Sequence, residues 1–259
     1  MISVGIDIGS TATKAILLLD GIIKEQVIIP SGWDPKQAGR NAYDALLEKG
    51  QLVEQQVQTV VATGYGRITL PFADRRVTEV TCHARGANHM VAGSRLVIDI
   101  GGQDSKVIAL DGCGHVTDFI MNDKCAAGTG RFLQVMAGVL DLTLDELGEL
   151  ALISQPATIS SMCTVFAESE VIGLLARGAE KGAIAAGVID SIAQRLPTLI
   201  GRMPASKYIT FTGGLASNPA ICQRIEQSLN IPLRVPEFPQ LAGAIGAALI
   251  GNDMTKKTI

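Results

Sequence analysis

The chain has 259 residues, 47% of them hydrophobic, only 4% aromatic, and 28 of them glycine, which suits Ala/Val/Ile/Leu layers joined by tight turns and excludes a disordered polymer. With 22 basic against 25 acidic side chains the formal net charge is −3, so no basic surface argues for DNA or RNA as a partner. No unbroken run of eighteen apolar residues occurs, and MISVGIDIGS at the start lacks the basic n-region of a signal peptide; no membrane span and a cytoplasmic location are expected.

In chain order, residues 4–18, VGIDIGSTATKAILL, predict a strand ending near Asp7, a glycine-containing turn and a returning strand. GIIKEQVII at 21–29 alternates as a third strand, and 35–49 has helical period. TGYGR at 63–67 predicts a loop that Arg67 anchors. At 96–110 the first segment returns as LVIDIGGQDSKVIAL. At an offset of 92 residues the two share Ile6/Ile98, Asp7/Asp99, Ile8/Ile100, Gly9/Gly101, Lys14/Lys106, Ile16/Ile108 and Leu18/Leu110. A strand at 115–121 and a helical pattern over 129–151 follow, so the order of the first half repeats. Residues 208–218, YITFTGGLASN, predict a strand, a Gly-Gly turn and a helix start at Asn218-Pro219. QLAGAIGAALI at 240–250 is a small-residue helix.

Two such hairpins facing one another have a specific use. Backbone N–H groups at Gly-Ser-Thr or Gly-Gly-Gln turns can converge on phosphate oxygens, since glycine permits close approach. An aspartate at the strand end can hold Mg²⁺ through water, because that ion keeps most of its hydration shell. A Gly-Gly at a strand-to-helix junction lets a flat ring such as adenine lie against backbone.

The trio of DIGST at 7–11, DIGGQD at 99–104 and TGGLASN at 212–218 resembles the actin, sugar-kinase and heat-shock-chaperone ATPase superfamily. The resemblance implies an α/β fold of two ribonuclease-H-like domains around a nucleotide cleft: residues 1–94 as the first, with the helix at about 240–251 packing back on it, and residues 95–259 as the second. The expected ligands of ATP or ADP are Gly9, Ser10, Thr11, Ala12, Thr13 and Lys14 from one hairpin and Gly101, Gly102, Gln103 and Asp104 from the other. Asp7 and Asp99 are expected to hold Mg²⁺ through water, and Gly213, Gly214 and Asn218 the adenosine. Gln103 or Asp104 is placed to position the attacking water. Lys106 is given no ligand role.

Five cysteines, at 82, 113, 125, 163 and 222, do not suggest a disulfide framework in a chain of this size. Cys125 precedes GTGRFLQVMAGVL, whose Phe132, Leu133, Met136 and Leu140 mark one apolar helix face. Cys163 precedes a second helix with Val165, Phe166, Ile172, Leu174 and Leu175 as expected apolar contacts. Both are read as lying at or near helix N-termini, which favour a thiolate or an anionic iron–sulfur cluster. Nucleophile, core residue and metal ligand all stay open on spacing alone; Cys82, Cys113 and Cys222 read as structural.

NDKCAAGTGRF (122–132) and CTVFAESEV (163–171), with TGYGR, DIGGQDSK and TGGLASN, closely resemble the ATP-dependent activators of 2-hydroxyacyl-CoA dehydratases and the related ATPase subunits of benzoyl-CoA reductase, along essentially the whole chain. That resemblance implies a homodimer in which Cys125 and Cys163 of both subunits hold one 4Fe-4S cluster. It further implies reduction by ferredoxin or flavodoxin, and ATP-driven electron transfer to a dehydratase-like iron–sulfur partner. Glu168 and Glu170 are candidates for orienting water or for polar contacts between domains. A small-molecule kinase of the acetate- or sugar-kinase type, and a nucleotide-switched scaffold without redox function, use the same nucleotide motifs.

Overall fold

The computed structural model describes residues 1–160 and 163–256. Ser161 and Met162, which precede Cys163, and the last three residues lie outside them. The chain divides into two compact units: Met1–Ser94, Leu110–Thr117 and Pro236–Ile259 form one, Arg95–Ala109 and Asp118–Val235 the other.

The first unit is built on β1 (Ile2–Ile8), β2 (Ala12–Leu19), β3 (Ile22–Pro30), α1 (Pro35–Gly50), β4 (Thr59–Thr63), β5 (Arg75–Arg76) and α2 (Glu79–Met90). Its sheet runs in the order β3-β2-β1-β4-β5, with β1 antiparallel to β2 and parallel to β4. Val4, Ile6 and Ile8 of β1 face Ala42, Tyr43, Leu46 and Leu47 of α1. That helix starts at Asp34, whose carboxylate accepts from the Lys36 and Gln37 amides at 2.9 and 3.1 Å, with Pro35 in the first turn. On the opposite face Ile16 and Leu18 pack on Ala244, Ile245 and Ala248 of the C-terminal helix, Ala242–Lys256. The small residues of that helix have a steric reason. A Cβ on Gly246 would strike the Cys82 carbonyl, and one on Gly86 would strike that of Ala242, so α2 and the C-terminal helix meet backbone to backbone.

The second unit repeats the plan with β6 (Leu96–Ile100), β7 (Ser105–Leu110), β8 (Val116–Asn122), α3 (Gly130–Leu140), α4 (Leu144–Leu152), α5 (Thr164–Ala176), α6 (Lys181–Ala193), α7 (Leu196–Ile200), β9 (Ile209–Gly213), α8 (Pro219–Leu229) and β10 (Leu233–Arg234). The order β8-β7-β6-β9-β10 is the first sheet's, strand for strand. The helical pattern predicted over 129–151 is two helices. Asp141 takes the left-handed conformation (φ 54°) and closes α3, and Thr143 opens α4 with a reciprocal cap to Glu146. Phe132, Leu133, Met136 and Leu140 are buried, as their spacing predicts. Residues 181–200 are long and apolar enough to cross a membrane by length and composition alone. More than half of this stretch is buried, with Ile184, Val188 and Ile189 of α6 in the core, as in a core helix.

Candidate functional site

In the first hairpin the Gly9 amide donates to the Ala12 carbonyl at 3.2 Å, which tightens the turn and leaves Ser10 and Thr11 exposed at its tip. A Cβ on Gly9 would lie 2.9 Å from the Ala12 oxygen and 3.2 Å from Lys14 Nζ, so the space over this glycine belongs to an ammonium. Such a cradle fits a phosphate group. Thr13 is turned inward, its hydroxyl 2.9 Å from Ser31 Oγ, which donates to the Gly9 carbonyl at 2.7 Å; its side chain shapes the turn. Asp7 Oδ2 lies 3.5 Å from Lys14 Nζ and 4.0 Å from His83 Nε2 of α2. No local motif marks His83; the packing of α2 brings it here.

The second hairpin has the same turn bond, Gly101 amide to Asp104 carbonyl at 2.9 Å. Here Asp99 is buried, accepting from the Thr212 hydroxyl at 2.7 Å and lying 3.3 Å from Lys106 Nζ. Both aspartates expected to hold Mg²⁺ are therefore buried against cations. Asp104 is the one carboxylate at the two turns that remains partly open, with Gln103 exposed beside it.

A further repeat joins the turns. Thr63 pairs with Asp7 in the β1/β4 register and Thr212 with Asp99 in the β6/β9 register. Each threonine precedes a glycine of positive φ, Gly64 (84°) or Gly213 (93°), and then a short 3₁₀ turn. A Cβ at Gly64 would strike Asp7 and the Ile8 carbonyl, and one at Gly213 the Ile100 backbone. TGYGR and TGGLA are thus the same element, legible as a second Thr-Gly pair in each half. Arg67 donates to the Gly64 carbonyl at 3.1 Å, holding its own turn. Gly214 is exposed, whereas Asn218 is committed to structure: it caps α8 through Ile221 (2.9 Å) and its amide donates to Asp145 at 2.7 Å.

Cys125 and Cys163 are exposed, and neither is in a disulfide. Cys163 is the N-cap of α5 but makes no side-chain cap bond, so its thiol is not spent on the helix. Cys125 is not at a helix mouth. It sits five residues before α3 in a turn held by Asn122 Nδ2 on its carbonyl at 3.0 Å and by the positive φ (86°) of Gly128. The first amides of α3, on Gly130 and Arg131, donate to the carbonyls of Gly101 and Gly102 at 2.9 and 2.8 Å, so the second hairpin occupies that helix end. Val165, Phe166 and Ile172 do not enter the core: they are 66, 68 and 51% exposed. The buried face of α5 is Ala167 and Val171, one turn apart, continued by half-buried Leu174 and Leu175. Glu170 accepts from the Ser160 amide and hydroxyl at 2.7–3.1 Å, which ties Ser160 to α5. Among the described residues no group of three or more metal-ligating side chains gathers within the one chain.

The model of the BadF/BadG/BcrA/BcrD ATPase family matches residues 4–251. The chain is 43% identical over 261 residues to the 2-hydroxyisocaproyl-CoA dehydratase activator of Clostridioides difficile, covering 100% of this chain and 97% of that one. It is 42% identical over 252 residues to the (R)-2-hydroxyglutaryl-CoA dehydratase activating ATPase of Acidaminococcus fermentans, with 95% of each covered. The solved activator of the 2-hydroxyisocaproyl-CoA dehydratase from Clostridium difficile, with bound ADPNP, superposes with a TM-score of 0.94 at 43% identity, covering 100% of this chain and 97% of that one. A family match across nearly the whole chain, with two relatives above 40% identity, settles the assignment: the chain belongs to the BadF/BadG/BcrA/BcrD ATPase family.

Proposed function

We propose that this chain is a cytoplasmic, ATP-hydrolysing activator that passes one electron at low potential to a 2-hydroxyacyl-CoA dehydratase-type iron–sulfur partner. It would act as a homodimer sharing one 4Fe-4S cluster and would take its electron from ferredoxin or flavodoxin. Mg²⁺ would travel with the nucleotide, held by phosphate oxygens and water.

The observation that carries this reading is the hydrogen-bonded link from the second hairpin to α3. Carbonyls of Gly101 and Gly102 hold the amides of Gly130 and Arg131, and the turn of Cys125 leads directly into that helix. A nucleotide that moves this hairpin by a few tenths of an ångström would move the start of α3 with it. The bound cluster supplies a one-electron centre whose potential responds to exposure and to hydrogen bonds at its sulfurs. This chain's own part is to present Cys125 and Cys163 outward with their thiols uncommitted. The exposed Val165, Phe166 and Ile172 beside Cys163 support a second copy of the chain covering this face.

The test is transfer. Reduced protein mixed anaerobically with a 2-hydroxyacyl-CoA dehydratase, ATP and Mg²⁺ should switch on dehydration, and a non-hydrolysable ATP analogue should not. ATP turnover that strictly requires a sugar or carboxylate acceptor would contradict the proposal.

A further inference from the structure

The two hairpins set an aspartate and a lysine opposite each other at the same register, Asp7 with Lys14 and Asp99 with Lys106, yet use the charges in opposite ways. In the first, Lys14 Nζ lies over Gly9 and the side chain is 18% exposed. In the second, Asp104 stands where the first hairpin has Ala12, and its Oδ1 fills the space over Gly101. Lys106 has been drawn under the turn: its side chain is 0% exposed, with Nζ 3.3 Å from Asp99 Oδ2 and 2.7 Å from Asp104 Oδ2.

The consequence is electrostatic. A buried ammonium is tolerated only when paired, and here two carboxylates surround it. With both ionised the triad carries a net negative charge, and its solvent-facing edge is Asp104, 24% exposed against 2% for Asp99. The first turn therefore offers a cation to an anion. The second offers a carboxylate edge, which repels a phosphate oxygen but accepts a hydrogen bond from water.

We infer that Lys106 is a positioning residue for nucleotide hydrolysis: it fixes Asp104 through Oδ2 so that Oδ1 accepts a hydrogen bond from the attacking water. In that step the water oxygen bonds to the γ-phosphorus as the bond from that phosphorus to the ADP oxygen breaks. Both water protons leave with the phosphate product, the bonding pair departs on the ADP oxygen, and nothing is oxidised or reduced. Asp99 is the inner counter-ion, held by Thr212. The inference rests on the ATPase reading of the chain.

Steady-state turnover and affinity for a non-hydrolysable ATP analogue test it together. Asp104→Asn should lower kcat by about 10²-fold, because the amide turns its oxygen to the Lys106 ammonium and leaves only an N–H donor toward the water, with analogue affinity within about threefold. Lys106→Met should act in the same direction. In the Asp104→Asn background it should cost less than about threefold more, because the residue it positions is already gone. The same cycle read by urea unfolding should show that Lys106→Met destabilises less once Asp104 is Asn. A kcat within about threefold of the parent for Asp104→Asn, or kcat losses that multiply in the double variant, would overturn the inference. If Lys106→Met does not fold, Asp104→Asn alone decides. Absence of ATP turnover by the unaltered protein would overturn the ATPase reading itself, and the inference with it.

Discussion

The amide of Gly130 donates to the carbonyl of Gly101 at 2.9 Å, so the turn of the second hairpin closes the N-terminus of α3. An open helix end would attract an anion; this one is occupied by backbone. A Cβ on Gly130 would lie 3.1 Å from that carbonyl and 3.2 Å from Leu215 Cδ1. Gly130→Ala should therefore lower stability by about 1–2 kcal/mol in urea unfolding, through overpacking at the joint. Gly138→Ala in the same helix meets nothing within 4 Å and should instead gain about 0.5–1 kcal/mol from helix propensity. Equal effects at the two sites would contradict the account of the joint.

Gly213 has φ 93° and its missing Cβ faces the Ile100 backbone; Gly64 repeats this with φ 84° against Ile8. Each combines a backbone conformation that disfavours side chains with an immovable neighbour. Gly213→Ala and Gly64→Ala should each cost more than about 3 kcal/mol or prevent folding, as unfolding midpoints would report. Midpoints within about 1 kcal/mol of the parent would refute the equivalence of the two turns.

The cysteines separate by burial. Burial pushes the Cys82 thiol up to about 12 and the Cys222 thiol up to about 11, while Cys113, Cys125 and Cys163 are exposed. At pH 8 a thiol near 12 is ionised in roughly one molecule in 10⁴, and the thiolate is the nucleophile. A disulfide reagent added to cluster-free protein should count three fast thiols, with the other two appearing only in denaturant. Raising the pH by one unit should raise the thiolate fraction of the slow pair about tenfold, so their small native-state rate should climb with pH while the three exposed thiols stay faster. Five fast thiols in native protein would contradict the burial.

Phe166 is 68% exposed in the first turn of α5, with Val165 beside it. If this face is covered by a second copy, Phe166→Glu should shift the sedimentation mass from dimer to monomer without lowering the unfolding midpoint. A dimer of unchanged affinity would place the interface elsewhere.

Much of this molecule was legible in its residues. The DxG repeats gave both hairpins because glycine turns and alternating apolar strands are local signals. The close-packed C-terminal helix was legible from its run of small residues. Three things were not. Lys106 reads as a strand residue, and only register and burial reveal the two carboxylates around it. His83 reaches Asp7 through helix packing, which leaves no local trace. The exposure of Val165 and Phe166 was misread because small Ala167 and Val171 supply the buried face, so hydrophobicity pointed the wrong way around the helix. A partner surface and a core surface have the same composition; only the folded unit separates them.

A cluster shared by two chains through Cys125 and Cys163 can be read from iron content against molar mass after anaerobic reconstitution. A brown dimer with about four irons is expected, and a colourless, iron-free Cys125→Ser variant that still binds ATP. Unaltered protein that stays colourless and iron-free, or a Cys125→Ser variant with its iron intact, would contradict the shared cluster.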